Sequence, residues 1–415
     1  VIMYDGSFKK VEDIVVGDKL MGPDSLPRTV SSLYRGKEQM YGIYPIKGES
    51  FIVNENHILS LKHTKNHDDI VNISVKDYLS TNSTFKHVHK LYFSNGISFL
   101  ERESCELPMD AYILGLFLGD GSLTHHNVSF CSADSILADE IKKETDQLDM
   151  TIKAYGKKNN LAKNYNCVYK AGSRNPLGKK FEFLGLKNKK SNDKFIPDIY
   201  KFSTKENRAK ILAGLIDTDG YQHNKNYQVC LSSEILTDDI AFIARSLGLR
   251  ALVSKKYNKK YDRYYYCVSI SGNTNIIPCK LPRKIVQERK QKKDVLVTGF
   301  SVVKLETDNY YGFELDKDHL YLLDNFMITH NSGKSMALVH LASQVLLSGK
   351  NVIYYTLELQ DTVVAARTDS CITGVSLNDL SIFKEEVYEK IKNIKFKLII
   401  KEYPAKSAST VTIKN

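Results

Sequence analysis

The sequence has no Cys-x-x-Cys pair and no long apolar run. Its seven cysteines, Cys105, Cys131, Cys167, Cys230, Cys267, Cys279 and Cys371, are scattered over 415 residues. An odd, dispersed set excludes a disulfide-framework protein and argues for reduced thiols in a cytoplasmic setting. No apolar stretch approaches the roughly 18 residues needed to span a bilayer, so no membrane is expected as a partner. The opening, Val1-Ile2-Met3-Tyr4-Asp5-Gly6, is neither an initiator Met nor a signal peptide, and residues 411–415 stop within a strand-like pattern. The sequence therefore reads as a fragment, open at both ends. Lys and Arg outnumber Asp and Glu by 59 to 48. That surplus fits a polyanionic partner but does not by itself identify one.

What is present is organised in blocks. Residues 1–62 read as all-β, with short alternating runs such as Thr29-Val30-Ser31-Ser32-Leu33-Tyr34 between turn signals at Asp5-Gly6 and Gly22-Pro23-Asp24. Residues 63–106 continue with strand and short helix signals, rich in Lys and His. From Leu107 helix and strand patterns alternate to about 275, and short strands return near Val295-Leu296-Val297 and Val302-Val303-Lys304-Leu305. A β-rich unit is thus expected to be split by a mixed α/β insert. From Gly333 the pattern changes again, to an apolar helix and the strand Val352-Ile353-Tyr354-Tyr355-Thr356-Leu357, the start of a βα unit.

The insert carries a repeated nonapeptide. One copy contains Leu114-Gly115-Leu116-Phe117-Leu118-Gly119-Asp120-Gly121; the other reads Leu212-Ala213-Gly214-Leu215-Ile216-Asp217-Thr218-Asp219-Gly220. Asp120 and Asp219 lie 99 positions apart (219 − 120). Asn127 and Asn226, Cys131 and Cys230, Ile136 and Ile235, Leu137 and Leu236, Asp139 and Asp238, and Ile141 and Ile240 keep that offset. A fixed offset held this long marks a duplicated unit, whose halves can pair about a pseudo-twofold axis and bring one carboxylate from each together. Each acid is expected at a helix C-terminus, capped by the following Gly. Gly115 and Gly214 fall mid-helix, where Gly costs about 1 kcal/mol relative to Ala; close packing of two backbones would offset that. Two carboxylates at the negative ends of helices need a cation, and Mg²⁺ is the natural one.

The paired nonapeptides resemble the signature of LAGLIDADG (dodecapeptide) homing endonucleases, residues 211–220 closely and 107–121 as a first copy with Leu118 and Gly119 in place of an Asp-Ala pair. The resemblance implies Mg²⁺-dependent double-strand cleavage of DNA at a long site, with Asp120 and Asp219 as catalytic metal ligands. Lys194, in Lys194-Phe195-Ile196-Pro197, matches a block in which a Lys helps activate water; Arg263 or Lys260 could be its counterpart. The runs 187–190 and 255–264 interleave cations with aromatics, as phosphate-contacting faces do.

A second constellation is His330-Asn331-Ser332. An Asn side-chain amide can attack its own backbone carbonyl, a neighbouring His can polarise that carbonyl, and a following Ser can accept an acyl group. With Asp318-His319-Leu320-Tyr321 upstream, Asn54-Glu55-Asn56-His57 near the start, and Val11-Glu12-Asp13-Ile14 and Val16-Gly17-Asp18 within the opening strands, residues 1–331 resemble an intein with a Hint (splicing) fold, nearest to bifunctional inteins of the yeast vacuolar ATPase kind. The resemblance implies that His57 assists the first acyl shift, that His319 and His330 support Asn331 cyclisation, and that Ser332 is the downstream nucleophile. The N-terminal Cys or Ser of the family is missing, so splicing is expected to be incomplete; Asn54 stands where many members have Thr.

Finally, Ser332-Gly333-Lys334-Ser335 is the tail of a phosphate-binding loop, with Lys334 for the phosphates of ATP and Ser335 for Mg²⁺. With Glu358 past the following strand, residues 332–415 resemble the RecA-like core of replicative hexameric helicases, of which only a part is present. The expected architecture is mixed: an all-β Hint fold at 1–106 and 276–331, split by an α+β duplicated LAGLIDADG endonuclease at 107–275, followed by a partial RecA-like α/β segment at 332–415. Partners would be double-stranded DNA and the flanking exteins. Two rival readings are an RNA-binding maturase-like LAGLIDADG protein and a helicase with an inert insert.

Overall fold

The computed structural model describes the chain outside positions 67, 103–104, 124–127, 157–160, 171–172, 261, 289–292, 332–333, 357–359, 376–379, 381 and 404–415, with the backbone alone at 334–337 and 340. The alternating sequence early in the chain forms the long strand Pro27–Pro45, which pairs antiparallel with Phe300–Leu315 from Phe300↔Pro45 to Leu315↔Val30. The strands Lys19–Met21 and Phe51–Asn54 both pair with Pro27–Pro45. A second sheet runs in the order Val297–Thr298, His89–Tyr92, Ile58–His63, Ile70–Ser74. Both sheets join residues early in the chain to residues near 300, so the segment between them is threaded out of one β unit. Burial holds that unit closed: Leu59, Leu61, Leu91 and Phe93 share a core with Met327, and Leu20 and Val30 share another with Phe313 and Tyr321.

The segment threaded out repeats itself in space. Helix Ala111–Asp120 leads to strands Gly121–Ser122 and Ser129–Ser132, helix Ser135–Gln147, and strands Thr151–Tyr155 and Lys163–Val168. Helix Lys205–Asp219 leads to Gly220–His223 and Asn226–Leu231, helix Glu234–Ser246, and strands Arg250–Asn258 and Arg263–Ser271. In each four-stranded sheet the spatial order is first, second, fourth, third. Helices Ser135–Gln147 and Glu234–Ser246 begin 99 residues apart (234 − 135). The two acidic helices start on side-chain caps, Asp110 accepting from the Tyr112 and Ile113 amides and Thr204 from the Asn207 amide. Ile113, Leu114, Leu116 and Phe117 on one, and Ile211, Leu212, Leu215 and Ile216 on the other, are all buried. Helices apolar on every side belong at the centre of a domain, and these two form it.

Three expectations are corrected. The segment after 275 does not sit wholly with the split β unit, because Lys280, Leu281 and Lys284 are bonded to the second acidic helix. The cysteines are not all thiols: Cys230 and Cys267 face each other across adjacent antiparallel strands and form a disulfide. Gly121 and Gly220 are not left-handed caps; with φ of −82° and −78° they lead straight into strands. Glycine is needed there because a Cβ would come within 2.7 Å of Phe117 Cα or of Ile216 Cα.

Beyond residue 331, strand Val352–Thr356 pairs parallel with Leu398–Glu402 beside helices Lys334–Leu347, Asp361–Thr373 and Lys384–Ile391. Among the described residues no helix is long and apolar enough to cross a membrane.

Candidate functional site

Glycine decides how closely the acidic helices meet. A Cβ on Gly115 would lie 3.0 Å from Gly214 Cα and 3.1 Å from Leu215 N; one on Gly214 would lie 2.8 Å from Leu116 N and 2.9 Å from Gly115 C. Backbone touches backbone, so the two C-termini end side by side. A Cβ on Gly119 would overlap Thr218 and sit 3.0 Å from Asp219 Oδ2. The two carboxylates therefore share one site. Both carboxyls are raised above their ordinary value. Desolvation, then the charge of Asp219, pushes Asp120 up to about 6, and burial raises Asp219 against the pull of Lys194 and Lys284.

The helix ends are capped by lysines from elsewhere. Lys194, 4% exposed, donates from Nζ to the carbonyls of Phe117 (2.9 Å), Leu118 (2.9 Å), Gly119 (3.1 Å) and Gly121 (2.7 Å). Lys284 does the same for the second helix, donating to Ile216 O (2.6 Å), Asp217 O (2.7 Å) and Thr218 O (3.2 Å). An ammonium at a helix C-terminus answers both the orphan carbonyls and the dipole. Burial lowers both lysines, Lys194 to about 8. Lys284 is thus the counterpart of Lys194. Arg263 and Lys260 instead lie at the exposed end of the hairpin Arg250–Asn258/Arg263–Ser271. There Lys255 Nζ is 4.5 Å from the Tyr264 ring centroid and the Arg263 guanidinium 4.7 Å from that of Tyr265. Asp217, also missed as a site residue, is 1% exposed and accepts from Tyr112 Oη (2.8 Å) and the Lys280 amide (2.7 Å).

The site offers hard oxygen donors from two carboxylates, and among the described residues no cluster of three or more His, Cys, Asp or Glu side chains forms a metal cage. Two carboxylates with open sides suit a cation that keeps waters and takes further oxygens from a phosphate, which is how Mg²⁺ is held.

A second site lies in the split β unit. Strands Leu320–Leu322 and Ile328–His330 pair with Leu320↔His330, which sets the His319 and His330 rings 5.7 Å apart. His319 adopts φ +60°, and its carbonyl accepts from the Asn331 amide at 2.9 Å. Asn331 is buried, and among the described residues its Nδ2 has no hydrogen-bond partner. His57 Nε2 lies 2.8 Å from Thr329 Oγ1. Burial, with His330 nearby, holds His57 far down, at about 3, so its imidazole is neutral. His57, Thr329 and Asn331 line one cavity of about 610 Å³. Arg28, 1% exposed, fixes the turn before His319 by donating to Asp318 Oδ1 (2.6 Å) and Oδ2 (2.9 Å). Asn54 Nδ2 donates to Glu38 Oε2 at 2.8 Å rather than to His57. Ser332, Glu358 and the side chains of Lys334 and Ser335 lie outside the described residues.

These geometries agree with what the chain resembles. Residues 1–103 match the family model described as Hom_end-associated Hint, and 196–291 match that described as Homing endonuclease. The V-type proton ATPase catalytic subunit of Candida tropicalis is 23% identical over 91% of this chain and 48% of its own length. The homothallic switching endonuclease of Saccharomyces cerevisiae is 29% identical over 40% of this chain and 33% of its own length. The DnaB-like replicative helicase of Enterobacteria phage T4 is 34% identical over 22% of this chain and 21% of its own length. The chain therefore spans less than half the length of each of these relatives. The class is a Hint unit with an associated homing endonuclease. More particularly, these two segments together resemble an intein bearing a homing endonuclease, in a chain that is similar in part to a replicative helicase.

Proposed function

We propose that the chain cuts both strands of a long, specific DNA site at Asp120 and Asp219, and that its β unit cleaves the peptide bond after Asn331. The units are 1–106 with 297–331 for Hint chemistry, 107–275 extended through the Lys284 segment for the endonuclease, and 332–415 for part of a host helicase whose ATP would meet Lys334, Ser335 and Glu358. The observation that carries the nuclease reading is the meeting of the two acids where Gly119 leaves room for Asp219. A divalent cation, Mg²⁺ in this reading, supplies when bound the charge that lets both carboxylates ionise and the Lewis acidity that makes water a nucleophile. Asp120 and Asp219 would hold it. Lys194 and Lys284 keep the helix ends rigid and add positive charge behind the acids.

In the second site Asn331 Nδ2 attacks the Asn331 carbonyl carbon, the bond to residue 332 breaks, and the amine leaves with a proton. His330 directly precedes Asn331, and the His319 carbonyl accepts from the Asn331 amide, so both histidines are candidates to assist this step. The buried Nδ2, without a hydrogen-bond partner among the described residues, supports this reading. Neutral His57, bonded to Thr329, is suited to polarising an upstream acyl group.

The test is a nuclease assay on DNA carrying the uninterrupted helicase gene. Linear product with Mg²⁺ and none with chelator is the expected result, with Asp219→Asn lowering the rate by at least about 10²-fold. RNA binding without DNA cleavage would overturn the reading.

A further inference from the structure

Lys194 belongs to the first half of the repeat, yet the segment that carries it is fastened to the second. The Lys194 segment follows the first sheet. Its holders are on the second half: Ser233 Oγ donates to Lys194 O at 2.7 Å, and Asp239 Oδ2 accepts from the Ile196 amide at 2.7 Å. Asp239 Oδ1 also accepts from Lys201 Nζ at 3.0 Å. The Lys284 segment follows the second sheet and is held mainly within that same half: Tyr227 Oη donates to Lys284 O at 2.6 Å, and Asp217 Oδ2 accepts from the Lys280 amide at 2.7 Å. Its reach to the first half is through surface side chains. Arg283 donates to both Asp134 oxygens at 2.7 Å, Lys280 Nζ donates to Glu140 Oε2, and Lys280 lies 4.3 Å from the Tyr112 ring centroid. These contacts are themselves related by the repeat. Ser233 and Asp134 are 99 positions apart (233 − 134), as are Asp239 and Glu140 (239 − 140).

We propose that Asp239 is the positioning residue for Lys194, so that this lysine is held in register by the opposite half while Lys284 is held by its own. This rests on the nuclease reading above. The one-way linkage makes the first half-site depend on the second, because Lys194 is seated only when the halves are docked. Asp239 is 7% exposed, whereas Arg283 and Asp134 pair at the surface, a contact of the kind worth little in water. Loss of Asp239 therefore weighs more than loss of Asp134.

Two measurements on the full chain decide it. In the first, acetylation by acetic anhydride is read by peptide mass spectrometry, without metal or DNA. Asp239→Ala raises acetylation at Lys194 about tenfold and leaves Lys284 unchanged; the double variant Asp134→Ala/Glu140→Ala leaves both lysines unchanged. In the second, a supercoiled plasmid carrying the uninterrupted helicase gene is cut and the nicks are mapped. Asp239→Ala slows one strand by about 10²-fold, the loss expected of a misplacement near 1 Å, and nicked circles accumulate. The double variant leaves both strands near the wild-type rate. Asp239→Asn, which keeps an oxygen for the Ile196 amide, restores most of both readouts. Equal labelling of both lysines, equal slowing of both strands, or failure of Asp239→Asn to rescue overturns the proposal. A wild-type chain that cuts neither strand overturns the nuclease reading instead, and the labelling alone then decides the positioning.

Discussion

Replacing Gly214 with Ala sets two effects of known size against each other. Helix propensity favours the change by about 1 kcal/mol, since Gly214 lies inside the helix Lys205–Asp219. Packing opposes it. The new Cβ would overlap the Tyr112 carbonyl oxygen and lie 2.8 Å from Leu116 N and 2.9 Å from Gly115 C. Ordinary contacts between such atoms need about 3.5–4.0 Å, and backbone atoms cannot rotate aside, so the helices must part by on the order of 1 Å. Overpacking of a core typically costs about 1–3 kcal/mol, and backbone collision belongs at the upper end of that range. The net expectation is a loss of roughly 1–2 kcal/mol, which lowers the Tm of the endonuclease transition by roughly 2–8 °C. Because the same shift separates Asp120 from Asp219, cleavage should fall by about 10²-fold. Gly178→Ala is the control. It lies in helix Pro176–Phe183, and its Cβ would meet nothing closer than 3.6 Å, so it should be neutral or stabilising. Calorimetry and a plasmid assay read both quantities. A Gly214→Ala chain with a higher Tm and full activity would refute the close crossing of the two helices.

Asn331→Ala removes the attacking nitrogen and should abolish release of the 332–415 fragment on a denaturing gel, while Thr329→Val, which strips the hydroxyl from His57, leaves that release intact and slows only chemistry at the upstream bond. Without metal, Asp120 holds a proton in the folded chain between its ordinary 3.8 and about 6 that the unfolded chain has lost, so stability falls as pH rises through that window. Asp120→Asn should flatten the fall and raise Tm at pH 7, by thermal denaturation in chelator. Lys194 titrates near 8, so if its ammonium is the working form, one strand's cleavage drops above that pH and Lys194→Arg abolishes the drop; a rate that climbs through pH 8 with Lys194 and not with Arg would show a base instead.

How much of this could be read in advance follows from where each constraint is written. The duplicated nonapeptide was legible because a helix crossing imposes a local rule: Gly at one position, apolar residues around it, and an acid one turn on. The split β unit was legible from alternation that stops and resumes. What escaped notice depends on distant chain segments. Lys284 caps carbonyls of residues 216–218, and no short window contains both partners. A signal did exist, since Lys280-Leu281-Pro282 echoes Lys194-Phe195-Ile196-Pro197, but that likeness singles out Lys280, which pairs with Glu140. The second half places its capping amine past the proline rather than before it. Thr329 escaped for a similar reason, being joined to His57 only when strands from the two ends of the chain come together. The glycine after each acid was noticed for the wrong cause: a turn preference and a steric collision both select Gly, and only the backbone angles separate them.

The capping lysines also bear on how two acids can be kept together at all. Each Asp sits at the negative end of a helix and beside the other Asp, so helix dipole and neighbouring carboxylate both oppose its ionisation. A protonated lysine has three N–H donors and no acceptor. Lys194 faces four carbonyl oxygens and so has no donor to spare for water or phosphate while it stays in place. In that state it cannot take a proton from water. What it can do is cancel part of the helix dipole from inside the protein, leaving the open face of the carboxylates to a cation and a phosphate. The pair is held poised, charged enough to attract Mg²⁺ and braced from behind against its own repulsion. The fastening of the Lys194 segment to the second half makes its bracing conditional on the halves being docked, whereas Lys284 is braced from within its own half.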